Sequence, residues 1–178
     1  MKVIETPLPG VLEVEPNVFD DERGFFLETY RTSRYDGNGM VARFKQGNHT
    51  HSDRGTLRGL HYQLPPAAEA KLVRCTTGSI YDVAVDLRPA SSTYLQWLGV
   101  ELTAELGNML FVPEGFAHGY LTLEAATELS YLVSAAYSPD LERGLRWDDP
   151  AFKIDWPISG PLTISDKDRT CADFTTGA

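Results

Sequence analysis

Short apolar runs rich in Val, Leu and Tyr recur between residues 57 and 137, and Gly and Pro residues separate them. Residues 79–88 give the clearest pattern, because Tyr, Val and Leu alternate there with Asp and Ala. Side chains of a strand point alternately to its two faces, so this alternation predicts a strand with one buried and one more polar face. No long window keeps the period of an amphipathic helix. The pattern therefore predicts a mostly β structure.

Turn signals divide the rest of this region into further strand candidates. The separating sequences include TTGS, LRPASS and PEG, in which Gly, Pro and Ser favour turns. Short strands at this spacing predict a sandwich or barrel of antiparallel strands. Helical signals are weak, with one short turn expected in residues 32–39 and a loop-like tail after Pro157 until residues 165–168. The further strand candidates are residues 71–77, 96–102, 108–113, 119–123 and 128–137.

Composition limits the size and the class of the protein. The chain has 178 residues, of which 42% are apolar and 11% aromatic, enough for one substantial core. We therefore predict a single domain over residues 1–178. No apolar run approaches the length needed to cross a bilayer. The formal net charge of −9 disfavours nucleic-acid binding and requires any anionic substrate to meet a local cluster of cationic side chains.

The first residues and the cysteines bear on the compartment. In MKVIETPLPG one lysine is followed by proline and glycine, where a secretory signal would need a continuous apolar stretch. We therefore predict a cytoplasmic protein. Cys75 and Cys171 fit neither a zinc pair nor a disulfide framework, so we expect two free thiols without a catalytic role.

Three histidines fall within residues 48–63, NHTHSDRGTLRGLHYQ, and raise the question of a metal site. On a strand, His49 and His51 would share one face, as a pair of ligands requires. A stable centre needs a third or fourth ligand, for which His61 and His118 are the remaining candidates. Because the polar sequence SDRG follows at once, we favour a surface position for His49 and His51 over a metal site.

Arg58 and His61 lie in the next strand candidate, GTLRGLHYQ. They differ in parity, so on a flat strand their side chains would leave opposite faces. Both reach one cavity only if the chain bends or bulges, which Gly59 permits. Taken alone, His61 is better interpreted as a hydrogen-bonded core residue.

A second segment, GNMLFVPEGFAH, changes that interpretation. Gly107, Pro113, Gly115 and His118 reproduce the G-x5-P-x-G-x2-H pattern of the second cupin motif. The first cupin motif is not matched, since the usual glutamate after H-x-H is missing. The chain thus resembles a cupin without its metal, and the resemblance implies an all-β fold, a cupin-type jelly roll or double-sheet β-barrel with a few short peripheral helices.

Over nearly its whole length the chain resembles the dTDP-4-dehydrorhamnose 3,5-epimerases of nucleotide-sugar biosynthesis. These enzymes work without a metal or other cofactor and invert carbons next to the ketone of a nucleotide-linked 4-keto-6-deoxy sugar. The resemblance implies conversion of dTDP-4-dehydro-6-deoxy-D-glucose to dTDP-4-dehydro-L-rhamnose by proton abstraction and return at C3 and C5. It is carried by FDDERGFFLETY, NHTHSDRGTLRGLHYQ, KLVRCTTGSIYDVAVDLR, FVPEGFAHGY and SDKD, in that order.

Inversion next to a ketone needs a base, a cation or donor at the enolate oxygen, and an acid on the other face. By resemblance, His61 is the base and Asp168 holds its other ring nitrogen. Imidazole titrates near neutral pH, and a carboxylate partner fixes its tautomer. The resemblance assigns the enolate oxygen to Lys71 and the proton return to Tyr131.

Three of these residues have ordinary structural interpretations when taken alone. Lys71 would be a solvent-facing strand residue, Tyr131 a half-buried aromatic and Asp168 a solvated loop charge. However, Lys71 shares parity with Val73 and Cys75, which predicts that its amine points into the barrel.

The resemblance also implies a set of substrate-binding residues. Such a set should contain cations, because an acidic protein can bind a diphosphate only where positive charge is locally concentrated. In the family, the RGFF segment commonly comes from the neighbouring subunit, which implies a homodimer. The chain departs from the family pattern at Leu132 and Ala136, where relatives often carry Lys and Tyr. The implied binding residues are Arg23, Phe26, Glu28, Gln46, Asn48, Arg58, His118, Tyr137 and Glu142.

Three alternatives stay open at this stage. The first is a mono-epimerase that inverts only C3 or C5 of a related dTDP-, CDP- or GDP-linked 4-keto sugar. The second is a metal-dependent cupin built on His49, His51, His61 and His118. The third is a cupin that binds a sugar nucleotide without turnover.

Overall fold

The computed structural model describes residues 1–40 and 42–175, in which β-strands dominate. The two helices of these residues are short, α1 (Thr32–Asp36) and α2 (Asp166–Arg169). The strands are β1 (Lys2–Glu5), β2 (Leu12–Glu15), β3 (Val18–Asp21), β4 (Gly24–Leu27), β5 (Gln46–Ser52), β6 (Thr56–Gln63), β7 (Lys71–Thr77), β8 (Ser79–Asp86), β9 (Trp97–Thr103), β10 (Met109–Val112), β11 (Phe116–Thr122), β12 (Thr127–Val133), β13 (Glu142–Gly144) and β14 (Thr163–Ile164).

Two larger sheets pack face to face. The first sheet has the strand order β1-β2-β10-β7-β12-β5, and the second has the order β13-β6-β11-β8-β9. Strand β14 joins the second sheet in parallel beside β6, whereas the other pairings are antiparallel. Strands β3 and β4 form a separate hairpin. The predicted all-β, double-sheet architecture is confirmed.

Strand β7 shows how the alternation of the sequence builds the interior. Val73 and Cys75 are fully buried in a core formed by both sheets. Leu72, of the other parity, packs in a second cluster on the outer face of the first sheet, against Tyr35 and Met40. Removing such side chains from water contributes about 1.5 to 3 kcal/mol each, so the parity of this strand is strongly fixed.

Both faces of strand β8 are buried. The alternation is present, but Asp82 and Asp86 are 0% exposed. Their face is turned toward the barrel interior, while Val83 and Val85 on the other face are covered by a cluster that includes Trp156. The predicted strand and its more polar face are present, but both faces are buried, because the C-terminal part of the chain adds a layer that local periodicity does not reveal.

The sequence patterns found the strands of the central region but not those of the N-terminal region. Strands β1 to β4 have only four residues each, and β3 and β4 are almost entirely exposed, so these segments are too short or too exposed to give a clear periodic signal. The short turn expected in residues 32–39 is helix α1, which buries Tyr35 against the first sheet. Among the described residues, no helix is long and apolar enough to span a membrane.

Candidate active site

A cavity of about 470 Å³ opens between the two sheets. Strands β5, β7 and β12 of the first sheet and strands β6 and β11 of the second sheet contribute to its wall. Strand β14 and helix α2 close one side. The charged and titratable side chains of the wall include Arg58, His61, Lys71, His118, Tyr131 and Asp168.

Strand β6 brings Arg58 and His61 to this one cavity despite their different parity. Gly59 between them adopts a φ of +120°, a region that L-residues with a side chain rarely adopt. The register between β6 and β11 shifts at the same level. A Cβ atom at position 59 would lie 2.6 Å from the Cα of Gly119, so the close approach also requires glycine. The predicted bulge is confirmed.

His61 and Asp168 form a hydrogen-bonded pair. The Nε2 atom of His61 lies 2.7 Å from Oδ1 of the buried Asp168. The second carboxylate oxygen, Oδ2, accepts a hydrogen bond of 3.2 Å from the backbone N–H of Gly59. Ser165 caps helix α2 by accepting from the Asp168 backbone N–H at 3.1 Å. Both carboxylate oxygens thus have a hydrogen-bond partner, the backbone of Asp168 is held by the cap, and the second ring nitrogen of His61 faces the cavity.

The pKa of Asp168 reflects this arrangement. Burial of the carboxyl disfavours its charged form and acts to raise the pKa. The hydrogen bond from His61, its charge, and the bonds from Gly59 and Ser165 outweigh burial, and the pKa lies below its ordinary value. Asp168 is therefore a carboxylate at neutral pH, the form that stabilises an imidazolium.

Lys71 enters the cavity from the first strand position of β7, as predicted. Its Nζ atom lies 3.3 Å from Oε1 of Glu69 and 3.5 Å from the backbone carbonyl oxygen of His61. Sequence reasoning missed Glu69, which precedes the strand in a region without periodicity. The ammonium is therefore held between a carboxylate and the backbone of the second sheet.

Tyr131 projects into the cavity from β12 of the first sheet, opposite the strand that carries His61. Burial raises the pKa of its phenol, and the charges of Tyr120 and Glu69 add to the rise. A phenol with a raised pKa stays protonated at neutral pH and can donate a proton. The cavity thus has a potential base and a potential acid on opposite walls.

Arg58 and His118 form a second polar group on the cavity wall. His118 is buried, and its Nε2 atom lies 2.8 Å from Oδ1 of Asp82. The Nε and Nη2 atoms of Arg58 donate to Oγ of Ser52 at 3.3 and 3.1 Å. Sequence reasoning missed the role of Asp82, because its contact with His118 depends on the register between β8 and β11.

The rim of the cavity carries a third group. The exposed Tyr137 donates a hydrogen bond of 2.8 Å to Oε2 of Glu142, which also forms an ion pair with Lys167. Burial acts to raise the pKa of Glu142, but Lys167 and Tyr137 outweigh it and the pKa is lowered. Lys167 lines the cavity and was missed, although it lies inside the quoted segment SDKD.

Gln46 and Asn48 belong to the same rim. The amide Nε2 of Gln46 donates to Oδ1 of Asn48 at 2.8 Å, and its Oε1 accepts from the backbone N–H of Tyr137 at 3.2 Å. Asn48 pairs with Tyr131 across strands β5 and β12. Both amides therefore lie on β5, next to the strand that carries Tyr131.

Three predicted binding residues lie away from the cavity of their own chain. Arg23 is at the exposed end of the β3–β4 hairpin and pairs with Asp21. Phe26 is exposed on β4, and Glu28 pairs with Arg34 at 3.0 Å. The fold of one chain does not bring these three residues to the rest of the set.

His49 and His51 also stay outside the cavity. Their side chains are 56% and 61% exposed on the outer face of β5 and lie 3.5 and 3.7 Å from Glu128. Their predicted surface position is confirmed. The four histidines of the metal alternative do not converge, since His61 and His118 line the cavity. In residues 1–40 and 42–175 no group of three or more His, Cys, Asp or Glu side chains is arranged to hold a metal ion.

The family assignment follows from comparison with known proteins. A model of the family described as dTDP-4-dehydrorhamnose 3,5-epimerase matches residues 5–176. The chain belongs to that family. An epimerase of this family from Shigella flexneri is 48% identical over 169 residues, which cover 94% of this chain and 93% of the Shigella protein.

Solved structures of epimerases in this family have the same fold. The dTDP-4-dehydrorhamnose 3,5-epimerase from Bacillus anthracis, with TDP and PPi bound, superposes with a TM-score of 0.93 at 43% identity, covering 97% of this chain and 99% of that one. The Legionella pneumophila epimerase, in complex with dTDP-4-keto-L-rhamnose, gives a TM-score of 0.91 at 39% identity, covering 94% and 89%. The predicted family and the predicted cupin-type fold are both confirmed.

Proposed function

We propose that this chain is a dTDP-4-dehydrorhamnose 3,5-epimerase that converts dTDP-4-dehydro-6-deoxy-D-glucose to dTDP-4-dehydro-L-rhamnose. Membership of the family supports the reaction. The observation that carries the mechanism is that His61 and Tyr131 project into one cavity from opposite sheets, with the amine of Lys71 in the same wall. A sugar ring held between the two sheets would have its two faces turned toward a base and an acid.

The proposed reaction repeats one sequence of steps at C3 and at C5. His61 takes the proton from the carbon next to the C4 ketone, and the C–H electron pair forms a C=C bond while the carbonyl electrons move to oxygen. The ammonium of Lys71 stabilises the resulting enolate oxygen. When the enolate collapses, its carbon takes a proton from the phenol of Tyr131 on the other face, and the carbonyl re-forms.

Asp168 supports this cycle without touching the carbon. Its carboxylate holds one ring nitrogen of His61 and stabilises the imidazolium that forms after proton abstraction. The imidazolium then releases its proton to solvent, and the phenolate of Tyr131 takes one up. No oxidant, reductant or cofactor is needed to balance these steps.

We assign the nucleotide end of the substrate to the remaining polar groups. Arg58 and His118 supply donors in the wall, and Lys167 supplies a cation at the rim. Tyr137 offers an exposed aromatic face for a nucleobase, positioned by its hydrogen bond to Glu142. Gln46 and Asn48 complete this side of the pocket. The bound TDP of the Bacillus anthracis relative supports a thymidine nucleotide as ligand.

We further propose a homodimer in which the β3–β4 hairpin packs on a second copy. Phe19, Phe25 and Phe26 of this hairpin are 59%, 64% and 68% exposed, which is costly for a small protein unless a partner covers them. Arg23, Phe26 and Glu28 would then reach the partner's cavity, in line with the role expected from the resemblance.

A substrate panel tests the proposed function. The purified protein is incubated with dTDP-, CDP- and GDP-linked 4-keto-6-deoxyglucose, and the configuration of each product is read by NMR. We expect inversion at both C3 and C5 with the dTDP sugar. Inversion at one carbon only would replace the proposal with a mono-epimerase, and tight binding without turnover would replace it with a sugar-nucleotide-binding cupin.

A further inference from the structure

Glu69 is a largely buried carboxylate that no step of the proposed reaction uses. It forms an ion pair with Lys71 at 3.3 Å, and the two side chains are only 12% and 9% exposed. Surface ion pairs contribute little to stability, whereas the loss of one partner from a pair that is removed from water leaves an uncompensated charge and is costly. The location of Glu69 next to the proposed enolate-stabilising amine therefore needs an explanation.

The carboxylate of Glu69 is itself held in place. Gln63 is buried at the end of β6 and donates from Nε2 to Oε2 of Glu69 at 3.3 Å. The same amide nitrogen donates to the carbonyl oxygen of Ala67 at 3.0 Å, and the amide oxygen accepts from the backbone N–H of Ser138 at 2.6 Å. Both oxygens of Glu69 thus have partners, one on each side.

These contacts engage two of the three N–H donors of the Lys71 amine. An ammonium has three N–H donors. One faces Glu69, and a second faces the backbone carbonyl oxygen of His61, 3.5 Å away. Because Gln63 holds Glu69 and the His61 carbonyl belongs to β6, these two contacts set the direction of the third N–H, which remains available to an acceptor in the cavity that Lys71 lines.

We propose that Glu69 is a positioning residue that fixes the amine of Lys71 for the carbonyl oxygen of the substrate. The inference rests on the proposed function and adds a residue to it. A lysine has a flexible four-carbon side chain, so its amine needs an external restraint to occupy one place. Misplacement of a catalytic group by about 1 Å can reduce the rate on the order of a hundredfold.

Substitution of Glu69 separates a positioning role from a structural one. We expect Glu69→Ala to lower kcat by about tenfold or more while KM stays within about twofold, because the substrate-binding residues are untouched. Glu69→Gln keeps an acceptor oxygen at the same distance and should stay within about threefold of wild-type kcat. Glu15→Ala, which removes the exposed ion pair with Lys2, serves as the control and should leave both parameters unchanged.

A double-mutant cycle tests whether Glu69 acts through Lys71. In the Lys71→Ala background, Glu69→Ala should cause no further loss of kcat, because the positioned group is already absent. A multiplicative loss in the double variant would overturn the proposal. Wild-type kcat in Glu69→Ala, or failure of Glu69→Gln to restore the rate, would overturn it as well.

A measurement that does not depend on turnover separates this proposal from the function on which it rests. The side-chain ammonium of Lys71 is followed in the ¹H–¹⁵N NMR spectrum of the wild type and of both Glu69 variants. We expect a slowly exchanging signal in the wild type and in Glu69→Gln, and its loss in Glu69→Ala. Unchanged signals would contradict the positioning role, whereas failure of the proposed function would appear instead as a wild-type protein without epimerisation.

Discussion

Tyr131 and Asp168 have pKa values displaced in opposite directions, each toward the form that the proposed reaction needs. Burial raises the pKa of the Tyr131 phenol, which keeps its proton available for donation. The pKa of Asp168 is lowered even though burial opposes this, because His61, Gly59 and Ser165 all hydrogen-bond to it. Environments that shift the pKa values of two groups in opposite directions are typical of acid–base sites.

Replacing Tyr131 by Phe should separate proton removal from inversion. His61 remains in place on the opposite wall, so we expect the variant to exchange substrate α-protons with heavy water while forming at least tenfold less inverted product, since acid catalysis typically contributes on the order of a hundredfold or more. NMR of recovered substrate and product measures both rates. Tyr62→Phe serves as the control, because it removes the hydroxyl of a different half-buried tyrosine, which lies on β6. Normal inversion by Tyr131→Phe would contradict the assignment of the acid.

The carboxylate of Asp168 should also give the folded state a pH-dependent stability. Its folded-state pKa is lowered, so its contribution is present above the unfolded value of about 3.9 and is lost as pH falls through the folded value. Denaturant unfolding of wild type and Asp168→Asn between pH 7 and pH 3 measures the difference. We expect a constant advantage of the wild type above about pH 5 that shrinks below about pH 4. A difference that does not change with pH would contradict the lowered pKa.

The sequence predicted the positions of some site side chains but not of others. Strand parity sufficed to direct Lys71 into the interior, and the polar sequence after His51 sufficed to place His49 at the surface. Asp82 and Glu69 were missed, because each acts through a partner that only the non-local pairing of strands or the packing of a loop brings near. Periodicity contains no information on such contacts.

At the level of secondary-structure elements, strand β6 is decisive for the site. A regular strand would send Arg58 and His61 to opposite faces. The positive φ of Gly59 and the register shift opposite it turn both side chains toward one cavity. The backbone N–H of Gly59 also donates to Asp168, so the same irregularity fixes the partner of the proposed base.

Replacing Gly59 by Ala should therefore be severe. The new Cβ would meet Gly119 Cα at 2.6 Å and the His118 carbonyl oxygen at 2.8 Å, both backbone atoms that cannot easily move. We expect a loss of about 2 kcal/mol or more in the free energy of unfolding. Gly160→Ala is the matched control, since Gly160 also has a positive φ but nothing within 4 Å, and should cost only about 1 kcal/mol. Equal losses in denaturant unfolding would show that the close approach is unimportant.

The elements that the sequence revealed are those whose alternation is enforced by burial. Strand β7 matches the predicted residues 71–77. The match is good because the Val and Cys side chains of this strand face a core, while its residues of the other parity face another layer. Strands β3 and β4 escaped detection, because their apolar residues are exposed and therefore follow no core.

For the whole molecule, the exposed β3–β4 hairpin is the feature that one chain leaves unexplained. Phe19 and Phe26 are cross-strand partners and both are exposed. Apolar pairs of this kind stabilise an assembly when a second surface covers them. The hairpin also carries Arg23, so formation of the proposed dimer would link assembly to substrate binding.

The double substitution Phe19→Ser and Phe26→Ser should convert a dimer into monomers. Analytical ultracentrifugation of wild type and variant measures the mass, and the substrate KM measures the effect on the site. We expect a raised KM in the variant, because the hairpin would no longer reach a partner's cavity. Leu106→Ser, at a residue that is 66% exposed outside the hairpin, should change neither. A wild-type monomer with full activity would contradict the dimer proposal.

The most direct test of the account is deuterium incorporation from heavy water by the wild type and by His61→Asn with dTDP-4-dehydro-6-deoxy-D-glucose. We expect the wild-type product to carry deuterium at both C3 and C5, because each inversion replaces a carbon-bound proton with one from solvent. His61→Asn should lose incorporation at both carbons together, since one imidazole serves both. Incorporation at wild-type rates in His61→Asn, or its loss at one carbon alone, would contradict a single base that faces a single acid across the cavity.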